Sequence, residues 1–445
     1  MSARRVNKGE IYIGLIIALA ILVILSQAIM SLVFSAYDLL NFTQARTTAK
    51  HIASEQIELI RNLPYDDVAT VGGIPPGNIP QTQDVVRNGL NYQVDTSIVY
   101  VDDPFDGTQG GNPDDILATD YKLVRVEVSW EGLAASRGNP VVLVTNLSPK
   151  GVETVTGGGT LSILIFDANS QPVSGADVQI IGSGVNVNIT QQTGANGRLI
   201  FPGAPVCNAC YQLTVSKTGY NSERTYSITE VANPSKPHLT VLEGQLTQTS
   251  FNIDRLSTLN ISSTSDRANN FSALPSQSFS LRGDKIIGKD GNDYPVYKYN
   301  ETLTTDASGS LILNDMEWDN YTSTFLNPSY DLAGTNPLNP FVLNPNTTLD
   351  FKFALSSNSI NSLLVRFKDA ADNPIASVSA LLKDSVNPVA SASSGLSVDP
   401  DFGQVFFPNL QAKTYTLEAT ASGYQNYSSD VAVSGNSSEN VTLSP

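Results

Sequence analysis

From Leu15 to Leu63 the chain contains neither glycine nor proline, and Pro64 ends the run. Ile11 to Phe34 is built almost throughout of Leu, Ile, Val and Ala, and no side chain from Ile11 to Tyr37 is formally charged. As an α-helix rising ~1.5 Å per residue, this part spans ~36 Å, enough to cross a bilayer core of ~30 Å. Arg4, Arg5 and Lys8 precede it, which predicts a cytoplasmic amino terminus and export of everything that follows. The run is too long for a secretory signal peptide, and no small-residue cleavage site closes it. Beyond it, Ala45, Ala49, Ile52, Ala53, Ile57 and Ile60 recur at three- and four-residue spacing, one apolar stripe on an otherwise polar helix. A single helix from Ile11 to Asn62, roughly 75 Å long, is therefore expected. Its lower half suits lipid or neighbouring apolar helices, and its upper half suits one protein surface.

A short basic leader ending in Lys8-Gly9, then an apolar helix continuing as an amphipathic one, resembles the type IV prepilins and the pseudopilins of type II secretion. Ala53-Ser54-Glu55-Gln56-Ile57-Glu58-Leu59-Ile60-Arg61-Asn62-Leu63-Pro64-Tyr65 is similar to the end of that helix in minor pilins and pseudopilins. The resemblance implies that a prepilin peptidase cuts after Gly9 on the cytoplasmic side. Glu10 then becomes the first residue, and the subunit leaves the membrane for a filament. The family usually carries Glu at the fifth mature position, where it pairs with a neighbouring subunit's amino terminus; here Gly14 stands there. A carboxylate buried in an apolar bundle is costly unless paired, so its absence removes an assembly contact. In the family, that absence goes with a place at the filament tip. It also leaves open an uncut chain that remains a simple membrane anchor.

At 445 residues several domains are expected. Only 15% of residues are charged, while Asn, Ser, Thr and Gly are abundant, a balance that suits turn-rich β modules. With 26 Lys plus Arg against 42 Asp plus Glu the net charge is −16, which argues against nucleic acid as a partner. Such a surface suits solubility outside the cell and some capacity for hard cations. The only cysteines, Cys207 and Cys210, lie between two β-like runs. A zinc ribbon needs a second pair, and a thioredoxin-like role needs the start of a helix. A small disulfide pinning the turn, in an oxidising compartment, is the favoured reading.

Residues 65–150 form the first exported domain, with β-like alternation at Tyr92–Val101, Tyr121–Trp130 and Pro140–Thr145. A strand meander on the upper helix would complete a pilin-like head. Between the first two runs lies an acidic loop with Asp102, Asp103, Asp106, Asp114 and Asp115. It reads either as a Ca²⁺ site, the one cofactor considered, or as a solvated turn; its spacing matches no EF-hand.

Gly157-Gly158-Gly159 marks a flexible joint, after which the chain repeats itself. Leu161–Asp167 leading to Gln171-Pro172-Val173 corresponds to Leu363–Asp369 leading to Asn373-Pro374-Ile375. Gly197–Pro202 corresponds to Gly403–Pro408, and Gly219-Tyr220 to Gly423-Tyr424. A weaker middle copy runs through Asp306–Leu313, with an insertion around Arg267–Tyr299. Short alternating strands in repeats of this size imply β-sandwiches. They resemble the carboxypeptidase regulatory-like domain, a transthyretin- or Ig-like accessory module without peptidase activity.

The expected organisation is a basic leader (1–9), the long helix (10–64, transmembrane to about 34), the head (65–150) and three sandwiches (157–245, 246–356, 357–445). The fold class is thus an α+β pilin-like head on a long N-terminal transmembrane helix, followed by all-β tandem sandwich domains. No enzyme is expected. The two histidines, His51 and His238, accompany no nucleophile elbow, and no HExxH, P-loop or dinucleotide fingerprint occurs. Asp306 and Asp399 read as turn formers. Tyr220, Tyr424 and Trp318 read as packing residues or as exposed binding aromatics. The expected function is a minor or tip subunit of a type IV pilus or type II secretion-like filament. The alternative is a membrane-anchored adhesin that never assembles. Implied partners are the membrane, pilin-like subunits along the helix, prepilin peptidase and a surface ligand.

Overall fold

The computed structural model describes residues 8–103, 120–131, 140–149 and 158–445, with backbone alone at 8–18, 20 and 21. A single helix, α1 (Lys8–Arg61), runs unbroken through the apolar and amphipathic parts. At about 1.5 Å per residue it is roughly 80 Å long. It ends where Pro64 removes a donor, and one 3₁₀ turn, Tyr65–Asp67, redirects the chain.

The head is a four-stranded antiparallel meander of β1 (Thr82–Arg87), β2 (Leu90–Val101), β3 (Tyr121–Trp130) and β4 (Val141–Leu147) in the order β1-β2-β3-β4. Asn88 and Gly89, both at positive φ, make the two-residue β1–β2 turn, which matches the strand twist. One face of β2 and β3 carries Tyr92, Val94, Ile98, Val124, Val126, Val128 and Trp130 into the core. The α1 stripe Ala45, Ala49, Ile52, Ala53, Ile57 and Ile60 packs against this face. The alanines let the helix backbone come close enough for the Tyr92 hydroxyl to donate to the Ala45 carbonyl at 3.3 Å. Lys122 on β3 is 1% exposed, and its ammonium donates to the Tyr65 and Val68 carbonyls at 2.8 and 2.9 Å. It thereby closes the turn that follows α1. Burial pulls its pKa down to about 8.

The remaining strands form three modules. The first has β5 (Gly159–Phe166), β6 (Asp177–Gly182), β7 (Val187–Gln192), β8 (Arg198–Ala204), β9 (Cys207–Ser216), β10 (Glu223–Arg224), β11 (Asn233–Pro234), β12 (Leu239–Val241) and β13 (Leu246–Asn252). The second has β14 (Ser257–Ser265), β15 (Ser278–Gly283), β16 (Ile286–Lys289), β17 (Pro295–Tyr297), β18 (Asn300–Thr304), β19 (Ser310–Met316), β20 (Asp319–Phe325), β21 (Tyr330–Asn336), β22 (Phe341–Leu343) and β23 (Thr348–Ser357). The third has β24 (Ser362–Lys368), β25 (Ser379–Asp384), β26 (Asn387–Ser393), β27 (Gln404–Phe407), β28 (Lys413–Thr420), β29 (Tyr427–Val433) and β30 (Asn436–Thr442).

The second and third modules share one topology. In each, the first strand lies between an antiparallel neighbour and the last strand, which runs parallel to it: β19-β14-β23 and β27-β24-β30. The facing sheets, β18-β15-β20-β22 and β26-β25-β28-β29, also correspond. The middle copy is therefore regular in strand order; what distinguishes it is the extra edge strand β21 beside β23. Its insertion forms a small sheet in which β16 pairs with both β11 and β17. Separate apolar cores fill the second and third modules. The turns recur as well. Asp167, Asp306 and Asp369 each accept, on Oδ1, the backbone N–H groups two and four residues on.

The chain divides into two compact units, residues 1–164 with 177–208 and 240–249, and residues 165–176 with 209–239 and 250–445. Of the Gly157-Gly158-Gly159 run, Gly157 lies outside the described residues, and Gly158 and Gly159 are closely approached by backbone of the first unit. A Cβ on Gly158, at φ +80°, would lie 2.5 Å from the Ala204 carbonyl, and one on Gly159 would lie 2.3 Å from the Leu242 carbonyl. These glycines serve close backbone approach. Gln191 of β7 also reaches the head, donating to Ser97 Oγ at 3.1 Å and to the Ile98 carbonyl at 3.2 Å.

Within the second unit, the second and third modules are joined by charge and amide contacts. Arg267 donates from Nε and Nη2 to the two Asp401 oxygens at 3.0 and 2.6 Å, and from Nη2 to Asp399 Oδ2 at 2.8 Å. Asn336 Nδ2 donates to the Ser397 and Asp399 carbonyls at 2.9 and 2.7 Å. Asp399 therefore does more than form a turn: it accepts from Leu396 N in its own loop and also pairs with an arginine of the neighbouring module.

Candidate functional site

The surface of α1 changes character along its length. Every residue from Leu22 to Asn41 is exposed, including Leu22, Ile24, Leu25, Ile29, Leu32 and Phe34, so this described stretch of the apolar part has no packed side. From Ala45 onward one stripe is buried under the head while Lys50, Glu55 and Glu58 remain in water. A helix apolar all round is stable only inside lipid or among other apolar helices. The segment is long and apolar enough to cross a membrane. Gly9 and Glu10 lie in the first turn of α1, and Gly14 in the next; only their backbone is described.

Of the acidic loop, Asp102 and Asp103 follow the end of β2, and the Asp103 N–H donates to Asp120 Oδ2. Asp106, Asp114 and Asp115 lie outside the described residues. Among the described residues no group of three or more His, Cys, Asp or Glu side chains is placed to hold a metal ion. Cys207 and Cys210 are both in disulfide form, with Ala209 between them at φ +48°.

The two histidines are not brought together. His51 is exposed on α1, and His238 precedes β12, where burial lowers its pKa although Glu230 acts the other way. Tyr424 packs against the core of the third module. Tyr220 lies beneath the Lys217 ammonium at 4.9 Å, and Trp318 beneath that of Lys285 at 3.4 Å. A bound cation at this distance covers the ring face a ligand would need.

Sequence reasoning missed an ionic cluster within the second unit. Lys298 bridges Glu223 and Glu317, the latter at 2.6 Å, and Lys285 meets Glu317 at 2.7 Å. Asn221 Nδ2 also donates to Glu317 Oε1 at 2.9 Å. Burial raises the Glu223 pKa despite Lys298 beside it. The four charges come from residues far apart in the chain, and no local spacing announces them. Half-buried and mutually paired, they fix the segment after β9 to the second module.

No known protein family matches the chain, and no curated protein does. Several solved structures are similar to it. The Bacillus anthracis TIE protein is 13% identical, over 82% of this chain and 73% of that one, at a TM-score of 0.19. A minor pilin of Streptococcus agalactiae is 14% identical, over 42% of this chain and 94% of that one, at 0.18. Two B repeat units of the collagen binding protein of Staphylococcus aureus are 13% identical, over 79% and 99%, at 0.20. At such scores the functional reading rests on the chain's own geometry.

Proposed function

We propose that this chain is a non-enzymatic, membrane-anchored surface subunit of the type IV pilus or type II secretion-like filament class, with its β modules displayed outside the cell. The division of α1 carries this reading: a half apolar on every side, continuous with a half whose single stripe is covered by the head. Lipid satisfies the apolar half before assembly, and helices of like subunits satisfy it afterwards. Lys8-Gly9-Glu10 supplies the place for prepilin peptidase to act, and the basic leader keeps that end in the cytoplasm. Gly14, where the class usually has a carboxylate, favours a minor or tip position. The same residue favours the second reading, a single-pass adhesin whose leader is never cut. The mass of the protein isolated from its native envelope decides between them. A chain beginning at Glu10 supports the filament subunit, and an intact leader rejects it in favour of the adhesin.

A further inference from the structure

In the three-stranded sheet β27-β24-β30, alternation sends Leu363, Val365 and Phe367 into the core of the third module. Leu364 and Arg366 therefore face the other way. Phe406 lies across from Leu364 and Gln404 across from Arg366. In an isolated sandwich this outer face would meet water. Here residues of the second module stand over it, and the two enclose a cleft of about 490 Å³.

Arg366 lines this cleft half-buried, and its Nε is shielded from solvent with no acceptor in reach. Among the described residues its side chain makes no ion pair and no hydrogen bond. Arg224 and Arg267, also half in contact with protein, each meet carboxylates. Burial lowers the Arg366 pKa, and no carboxylate offsets that effect. The one carboxylate in the cleft, Asp331, is already engaged: Oδ2 accepts from Ser359 N and Oγ, and Oδ1 from Asn436 Nδ2. The remaining walls combine the Ser438 hydroxyl and the Asn358 amide, whose Nδ2 also donates to the Pro328 carbonyl, with the rings of Tyr330 and Phe406. The Arg267–Asp401 contact and its neighbours fix the two modules to each other, so the cleft exists before any ligand arrives.

A guanidinium whose Nε is cut off from water and which has no anion beside it, next to small polar side chains and ring faces, is complementary to one kind of molecule. We propose that this cleft binds an acidic sugar residue of the uronate type, with its carboxylate on Arg366, its hydroxyls on the serine and asparagine side chains, and its apolar ring face on the aromatic walls. The binding is independent of whether the leader is cut or the chain assembles.

Calorimetry on the full chain in detergent tests this with galacturonate, trigalacturonate, glucose and acetate. The galacturonates are expected to bind; glucose, which lacks the charged contact, and acetate, which lacks the ring and hydroxyl contacts, are each expected to bind at least about tenfold more weakly. A trimer tighter than the monomer assigns the site to a glycan chain; equal affinities assign it to the free sugar. Arg366→Gln is expected to weaken galacturonate at least about tenfold while leaving Tm unchanged or raised, because the guanidinium has no protein partner to lose. Ser438→Trp, at the exposed rim, is expected to block the cleft and abolish the heat in a chain that keeps Arg366. Equal response to glucose and galacturonate, or full binding by either variant, overturns the proposal. So does a Tm drop in Arg366→Gln with affinity retained, which makes the arginine structural.

Discussion

Gln404 and Thr335, on β27 and β21, exchange two hydrogen bonds: the Thr335 N–H donates to Gln404 Oε1 at 3.1 Å, and Gln404 Nε2 donates to the Thr335 carbonyl at 2.6 Å. Both residues are 1% exposed. The side-chain amide does what a further strand would do for the edge of β21, satisfying backbone groups that contact with the next module has cut off from water.

Gln404→Ala should therefore destabilise the second and third modules well beyond a surface change. It strands a buried N–H and a buried C=O, at a cost of about 2 kcal/mol or more. Urea unfolding of the full chain, followed through the transition of these modules, measures it. A change no larger than that of an exposed control such as Gln425→Ala would show that water reaches the joint.

Lys122 predicts a pH dependence of the head. Its folded-state pKa is about 8, below the ~10.4 of an unfolded lysine. Below pH 8 the ammonium is charged in both states, and the penalty of burying it is fully present. Between pH 8 and about 10 the unfolded chain holds a proton that the folded chain has released, so stability rises with pH through that window. The Tm of the wild type should thus gain on that of Lys122→Met from pH 8 to about 10. A constant difference across that range contradicts the burial of a titrating ammonium.

The two halves of α1 should respond differently to substitution. Ala49 is 0% exposed under the head sheet, so Ala49→Leu overpacks the contact and should cost about 1–3 kcal/mol of head stability. Leu32, 72% exposed, touches nothing in the fold, so Leu32→Asn should leave head stability unchanged while weakening retention in bilayers. Thermal unfolding and liposome flotation of both variants give the comparison. Equal loss of head stability in the two would show that the apolar half packs on the chain itself.

Local periodicity carried much of the fold. The stripe from Ala45 to Ile60 was legible because a helix repeats its face every three or four residues, and the same six residues are buried. Strand β3 was legible from Tyr121 to Trp130 because ten residues alternate without a break. Strand β1 was missed although Asn88-Gly89, the strongest hairpin signal in the head, ends it; its six residues are mostly polar and mostly exposed. The edge strand β21 escaped for another reason: its pairing partners on β23 lie 16 to 27 residues further on, and no turn links the two strands directly.

Sites made by distant residues were not legible. The cluster of Glu223, Lys285, Lys298 and Glu317 depends on the sheet that joins β11 to the insertion. Arg366 sits in an alternating strand where an outward arginine ordinarily faces water, and only the neighbouring module cuts its Nε off from it. A glycine run signals freedom of φ and equally the absence of a Cβ; Gly158, at φ +80°, uses both, and Gly159 uses the second.

The central claim is that one uninterrupted helix serves lipid along its first half and the head along its second. Single spin labels placed from Leu19 to Ile60 in the full chain, reconstituted in bilayers, test it through accessibility to oxygen and to a water-soluble relaxer. The account predicts oxygen access on every side from Leu22 to Phe34. It then predicts protection at 45, 49, 52, 53, 57 and 60 with a period of ~3.6 residues, continuous in phase with the rest of the helix. Water access across Leu22–Phe34, or a break in phase between the two halves, would contradict it.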